Sequence, residues 1–395
     1  MKGKITAGID IGTAHIRMVV CETRRGESAP RVLAAITQTS HGLKNGYITN
    51  SEEVAQCIRR AKNEAESVVG TRIKSAHLAI GTLTLSSTTL VGTVAIGKAD
   101  GEITDGDIAR AHREAENKIE GLANIRVIQH VPLEYSVDEN IVPGRPQGMK
   151  GKRLEAKVLF IHALEQHIED LIKTVESAGI SVDDVVAAPL AAGIILLTKR
   201  QCNAGSMLID IGADTITMSV YENSLPILIH TFDVGSHTIT NAIALAFKLS
   251  LEESERIKKE PHRSRQSQEE VTEIIHNQIS DFFKNIDKQL KKIQRSKLLP
   301  AGVIISGGGS RVAHIATLAR ETLSLPAEVA KPIPIIAKDG GNDIKAELDP
   351  SWGIAYGLCI IGRQSSNSTS GGPILGRMLN AIQHNVKVLF RQFLP

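Results

Sequence analysis

The segment AGIDIGTAHIRMVV at Ala7–Val20 returns in outline as SMLIDIGADTITMSVY at Ser206–Tyr221. In each copy a β-branched run carries one acid, Asp10 or Asp210, into a Gly-led turn and out along a second apolar run. That pattern predicts a hairpin with the acid at a strand end, where a residue without Cβ lets backbone N–H groups approach an anion. One copy alone is compatible with an ordinary β-hairpin. The repetition predicts a duplicated domain whose halves face each other across a cleft, each offering a phosphate-binding hairpin and a carboxylate for a metal ion.

The chain has 395 residues, enough for two or three domains with ample core. Its 42% hydrophobic and 23% charged content is that of a soluble globular protein, and a net charge of +3 gives no basis for nucleic acid as a partner. The opening MKGKITAGID passes straight into a predicted strand, unlike a cleaved leader. The longest apolar stretch, Val185–Leu197, is broken by Pro189 and too short to span a bilayer. Cys21, Cys57, Cys202 and Cys359 have no metal-ligand spacing, which predicts reduced thiols in a cytosolic chain.

Between the hairpins, Val54, Ile58, Ala61 and Ala65 predict a helix over Ser51–Val69, followed by a strand over Ile73–Ile80. From Leu83 a strand (TTLVGTVAIG), a helix over Thr104–Ile119 capped by Thr104, and strands over Ile125–Leu133 and Lys157–His162 read as a small α+β insertion. Gln166–Ala178 is a predicted helix ended by Gly179, and Val182–Ala188 a buried strand. After the second hairpin come predicted helices over Thr238–Phe247, Leu251–Lys259 and Glu269–Ser296. In Ala301–Ala319, AGVIISGGGSRVAHIATLA, an apolar strand ends in three glycines and a helix is expected at once, so Cβ-free backbone could pass close to a flat ligand. The small residues of SWGIAYGLCII at Ser351–Ile361 suit a closely packed helix at a hinge.

From Gly362 the polar run GRQSSNSTSGG predicts a flexible linker. Beyond it Ile374, Leu375, Met378, Leu379, Ile382, Val386, Leu389, Phe390 and Phe393 fall on one helical face, with Arg377, Lys387 and Arg391 elsewhere. No Asp or Glu follows Asp349. A helix docked on the protein's own core or in a dimer would show the same face. The tether and wholly basic charge set favour an anchor on an anionic membrane surface. The resulting division is 1–82 for a first-lobe core, 83–162 for the insertion and 163–188 for a return to the first lobe. The second lobe follows at 189–340, then a closing hinge helix at 341–361, a linker at 362–373 and an amphipathic helix at 374–395.

The two IDIG hairpins, the GGGS turn and the closing SWGIAYGL helix resemble the actin, Hsp70 and sugar-kinase superfamily. Within it the chain is similar to FtsA, a family of bacterial actin homologues that tether the FtsZ division ring to the membrane. AIGKADGEITDGDIARA, HVPLEYSVDENIVPGRPQGMKGKRLEAKV, LEESERIKK and the tethered amphipathic C-terminus carry that narrower likeness, which covers nearly the whole chain. It implies an α/β, two-lobed actin-like ATPase fold with an inserted subdomain, 1C, that contributes to filament contacts. It also implies a cell division scaffold that binds ATP and Mg²⁺, self-assembles into filaments, recruits later division proteins and sits peripherally on the cytoplasmic face of the inner membrane at the septum. By the same resemblance Asp10, Gly12 and Thr13 match one phosphate motif, and Asp210, Gly212, Ala213, Asp214 and Thr215 the other. Gly307, Gly308, Gly309 and Ser310 match the adenosine motif, Glu255 and Lys258 the ribose and adenine positions, and Asp10 and Asp210 hold Mg²⁺ largely through water. FtsZ tails dock in this family on the second lobe's outer subdomain, where Lys284, Lys288, Lys291, Lys292 and Arg295 form a basic helix suited to an acidic tail, or simply a solvated face.

The chain departs from the family pattern in GADT, which places Ala213 and Asp214 where glycines are usual, in Asn241 for a usual Asp, and in TKRQCNAG before the second hairpin. AAPLAAG at the inter-lobe crossing offers no Gln, Glu or His to orient a water, so binding is expected ahead of turnover. Two alternatives remain open at this point. A pilus-assembly actin relative, PilM-like, would share the core and insertion. A small-molecule kinase would need a carboxylate base, for which Asp183 and Asp184 are the nearby residues.

Overall fold

The computed structural model describes residues 3–24, 30–260, 267–339 and 342–365. Two sheets dominate it, and their central parts have one topology. In the first lobe, strands Ser181–Ala187, Ser75–Ile80 and Lys4–Ile11 run parallel, and His15–Thr23 and Arg31–Thr39 follow antiparallel. In the second, Ala327–Val329, Val303–Ser306 and Ser206–Ile211 run parallel, and Ile216–Glu222 and Leu225–Phe232 follow antiparallel. The sequence repeat is thus a repeat of five-stranded units. The fully buried Ile9, Ile16 and Met18 of the first hairpin are matched by Ile209, Ile216 and Met218 of the second, each set on the side of its sheet covered by helices.

Helix ends follow local chemistry. Helix Ser51–Val69 starts where the Asn50 side chain accepts from the Glu53 N–H and stops at Gly70, whose φ of 68° is left-handed. Its buried Val54, Ile58, Ala61 and Ala65 join Met18 and Ile36 in the first-lobe core. Thr104 and Asp107 form a reciprocal capping box on helix Asp105–Glu116, and Ser250 and Ser267 cap helices Leu251–Lys259 and Gln268–Lys292.

Residues Ser86–Leu164 form the insertion: strands Ser86–Ala95, Arg153–Leu164, Ile125–Val137 and Asn140–Val142 with helix Asp105–Glu116 laid across them. The helix lies directly on Gly92, where a Cβ would overlap the Ala111 carbonyl oxygen. The insertion leaves and re-enters the first lobe, yet its sheet continues that of the second: Ser86 pairs with His230, and the Ser87 hydroxyl bonds both the N–H (2.7 Å) and the carbonyl (3.1 Å) of Ile229.

Three expectations need correction. The sequence division places residues 333–348 partly in the second lobe and partly in the closing helix. They form a hairpin, Ile333–Asp339 with Asn342–Leu348, that pairs with Arg31–Thr39 and extends the first-lobe sheet. The closing helix begins only at Gly353, after a 3₁₀ turn over Pro350–Trp352, and runs on to Ser365, into the start of the expected linker. Nor does a helix start immediately after the three glycines. A 3₁₀ turn over Gly308–Arg311 intervenes, and His314, left-handed at φ 61°, leads into helix Ile315–Leu323. Residues 366–395, with the rest of the linker and the whole amphipathic segment, lie outside the described residues.

The closing helix Gly353–Ser365 and helix Ala188–Leu196 join the lobes. A Cβ on Gly8 would overlap the Ala355 carbonyl oxygen, and one on Gly357 that of Ala191, so both approaches require glycine. Tyr221 of the second lobe reaches up to donate to the Pro189 carbonyl at 3.3 Å.

Inside the insertion His112 bonds the Tyr135 hydroxyl at 2.9 Å and packs edge-on against His130 at 5.3 Å between ring centroids. Burial pulls both imidazoles down to about 4, with His130 and Arg145 adding to the effect on His112. They are neutral in the fold and take up protons in the unfolded chain below its value near 6.5. Their contribution to stability is therefore present above that pH and is lost on acidification toward 4. Each tenfold change in proton affinity is worth roughly 1.4 kcal/mol, so the pair accounts for several kcal/mol. Thermal unfolding followed downward from neutral pH through the histidine range is expected to show a steep fall that flattens when His112 and His130 are both changed to Gln. An unchanged slope in that variant would assign acid sensitivity elsewhere.

Candidate functional site

Between the lobes lies a cavity of about 420 Å³ lined by both hairpin turns and the glycine block. Twelve of the fourteen residues matched to nucleotide contacts by resemblance line it: Asp10, Gly12, Thr13, Asp210, Gly212, Ala213, Thr215, Glu255, Lys258, Gly307, Gly308 and Gly309. Two do not. Ser310 is buried and its hydroxyl donates to the Gly307 carbonyl at 2.7 Å, closing the turn from behind. Asp214 points along the mouth of the cleft: one oxygen accepts from the Asn45 N–H of the first lobe at 2.9 Å, the other bonds His237 Nδ1 at 2.7 Å. Asn45 also donates to Asp233 at 2.8 Å. The charge expected near the phosphates is committed instead to a clasp between lobes. Asn241 lies exposed on helix Ser236–Phe247 and does not line the cavity.

The two hairpin acids meet. Asp10 is 9% exposed. Burial pushes its carboxyl up to about 6, with Arg17 opposing and Asp210 adding to the rise. Burial likewise raises Asp210 to about 6 against the pull of Arg17. Two desolvated carboxylates with this mutual repulsion attract a cation. Among the described residues no group of three or more His, Cys, Asp or Glu stands ready as a metal cage. A hard divalent ion held by two carboxylates and its own waters is what Mg²⁺ accepts.

The turns are shaped for close approach. Cβ atoms on Gly12 and Gly212 would meet the carbonyls of His15 (3.0 Å) and Thr215 (2.9 Å). Gly307 is left-handed at φ 84°, with the Ile211 carbonyl oxygen 2.5 Å from its Cβ position. Gly308 differs: it lines the cavity, and nothing lies within 4 Å of its Cβ position. Also lining the cleft is Lys258, 6% exposed, which donates to Glu255 (2.6 Å), the Thr240 hydroxyl (2.9 Å) and the Ser236 carbonyl (3.1 Å). All three of its donors are used, so it holds Glu255 in place rather than offering a free charge. Burial raises Glu255, but its bonds to Lys258 and Thr240 outweigh this and leave it below the ordinary value.

His15, Arg17, Lys259 and Arg311 also line the cavity, and no motif in the sequence points to them. A weaker signal existed for two: His15 and Arg17 alternate along one face of a strand whose Ile16 and Met18–Cys21 are all apolar. Asp183 and Asp184, the acids a kinase reading needs, lie on the edge strand Ser181–Ala187 and do not line the cavity.

Paired hairpins, a cleft with facing carboxylates and a Cβ-free turn define a two-lobed actin-like ATPase fold. Solved structures share it: the PilM–PilN type IV pilus biogenesis complex (TM-score 0.66, 18% identity, 90% of this chain and 98% of that one) and MreB5 of Spiroplasma citri bound to ADP (TM-score 0.53, 12% identity, 91% and 96%). The family model for cell division protein FtsA matches residues 207–348, and that for the SHS2 domain inserted in FtsA matches 84–162. The chain belongs to the FtsA family of cell division proteins. Its relatives include the cell division protein FtsA of Pseudomonas aeruginosa, 26% identical over 98% of this chain and 96% of that protein, and that of Bacillus subtilis, 26% identical over 85% and 80%.

The open space at Gly308 can be filled without disturbing the fold. Gly308→Val should occupy the cradle and lower affinity for a fluorescent ATP analogue at least tenfold while unfolding stability stays within about 0.5 kcal/mol of wild type, as for other open sites. Asp10→Ala or Asp210→Ala should lower affinity in Mg²⁺ and erase the difference in affinity between Mg²⁺ and EDTA. Unchanged affinity in all three would make the repeated hairpins structural only.

Proposed function

We propose that the protein is an ATP-binding scaffold of the division machinery that assembles into filaments on the membrane, tethers the FtsZ ring there and recruits later division proteins. The observation that carries this reading is the meeting of Asp10, Asp210 and the Gly307–Gly309 turn in one cleft of a chain that bears the FtsA insertion. Mg²⁺ with the nucleotide supplies positive charge to phosphate oxygens. The chain's own part would be to present N–H groups at the two turns, to hold the ion through Asp10 and Asp210, and to leave room for the base at the Gly307–Gly309 turn. MreB5 solved with ADP supports nucleotide occupancy of this fold. The PilM likeness is one of fold.

Slow turnover follows from the crossing helix. Ala188 and Pro189 line the cleft, and Ala187–Gly193 carries no side chain able to orient a water. Steady-state phosphate release should stay well below about one per second, the low end of ordinary enzymes. A faster rate would identify a catalytic group and overturn the scaffold reading.

The FtsZ tail is assigned to the outer helix Gln268–Lys292 and the turn after it. Lys284 pairs with Asp281, Lys291 with Asp287 and Arg295 with Glu222. Lys288 and Lys292, both exposed and one turn apart, have no carboxylate partner among the described residues and are the cations best placed for an acidic segment.

Among the described residues no helix is long and apolar enough to cross a membrane. The attachment proposed is peripheral, on the cytoplasmic face at the division site. Its residues Leu375, Met378, Leu379, Ile382, Val386, Leu389, Phe390 and Phe393, with Arg377, Lys387 and Arg391, lie outside the described residues, and the support is their sequence pattern. Apolar side chains at ~1 kcal/mol each outweigh the three basic residues at ~1 kcal/mol each. Binding to anionic liposomes should therefore survive moderate salt, fail when Leu379 and Phe390 are both changed to Glu, and vanish on truncation after Gly372 with ATP affinity intact. Flotation of the truncated protein would make the tail a core or dimer element.

A further inference from the structure

The duplicated hairpins carry the same positions two hundred residues apart, and their cross-strand partners differ in one informative place. Asp10 sits opposite Arg17 on its ladder; Asp210 sits opposite Thr217. Thr217 is satisfied within its own sheet, its hydroxyl 3.4 Å from that of Thr231. Arg17 is not. Its guanidinium stands 4.0 Å from Asp10 and 5.9 Å from the Trp352 ring centroid, beyond hydrogen-bond reach of the acid. The side chain is 18% exposed and lines the cavity, and no hydrogen-bond acceptor for it is found among the described residues.

The other Lys and Arg residues of the cleft are committed: Lys258 to Glu255 at 2.6 Å, Lys259 to Glu255 at 3.3 Å and Arg311 to Asp349 at 2.9 Å. A guanidinium has five donors in a fixed fork that matches phosphate oxygens. Arg17 is thus a largely enclosed cation close to both hairpin acids, with unused donors beside the space between the phosphate turns.

We propose that Arg17 is a phosphate-binding residue, donating to the terminal phosphate of a nucleoside di- or triphosphate and supplying charge that a divalent ion would otherwise provide alone. This rests on the nucleotide reading of the cleft and adds to it: binding tolerates removal of the metal because one cation is built into the first hairpin.

The test measures affinity of the full-length protein for fluorescent ATP and AMP analogues, in excess Mg²⁺ and in EDTA, for wild type, Arg17→Gln and Arg17→Lys, each checked by thermal unfolding. Wild type should keep ATP affinity in EDTA to within about tenfold of that in Mg²⁺, whereas Arg17→Gln should lose at least a further ~10-fold in EDTA, the worth of one charge-assisted bond. Mg²⁺ should restore most of that loss, Arg17→Lys should retain part of the affinity, and AMP binding should respond little. Arg17→Gln binding ATP in EDTA as well as wild type does, or wild type losing all affinity in EDTA, overturns the proposal. Wild type that fails to bind ATP even in Mg²⁺ refutes the nucleotide reading itself, a distinct result.

Discussion

Asp10 and Asp210 are carried into one cleft by two hairpins of the same topology, and neither can leave without dismantling a sheet. Both carboxyls are desolvated and raised to about 6. Two like charges in a poorly solvated space cost free energy, and the fold retains them. Part of the cost is offset from within by Arg17. The remainder is a cost that a cation of the kind proposed above would relieve. The glycines serve the same end. At Gly12, Gly212 and Gly307 the missing Cβ leaves room for the carbonyls of His15, Thr215 and Ile211, so the turns that line the cleft close tightly.

What is locally encoded was legible in the sequence. The hairpin repeat announced two equivalent units, and Thr104 marked a helix start by chemistry that needs only the next three residues, the same chemistry by which Asn50, Ser250 and Ser267 cap their helices. What escaped was non-local. Nothing in IPIIAKD says that it pairs with Arg31–Val32 some three hundred residues earlier rather than with the lobe just left. The continuity of the insertion with the second lobe likewise depends on Ser86, Ser87, Ile229 and His230, four residues with no shared motif.

At the cleft the pattern is the same. Twelve of fourteen matched residues line the cavity because strand ends and turns fix where a motif goes. Side-chain direction is another matter: Asp214 lies in the phosphate motif by sequence, but a neighbouring imidazole and an N–H of the other lobe capture its oxygens. Arg17 is the converse, a residue beyond the matched phosphate positions that the ladder sets opposite Asp10.

Asp214 belongs to the contacts that hold the lobes together. The interface is apolar and tightly fitted at the bottom, where Gly8, Gly357 and Gly193 admit neighbours at distances no Cβ allows. At the mouth it consists of a few polar bonds through Asn45. A packed contact of the first kind resists sliding, whereas exposed hydrogen bonds worth ~1 kcal/mol each can exchange with water. The closing helix is therefore the firmly packed side of the interface and the Asp214 clasp the side held by few bonds. The insertion is rooted in first-lobe chain and paired to second-lobe sheet at Ser86–His230, so it forms a further bridge between the lobes.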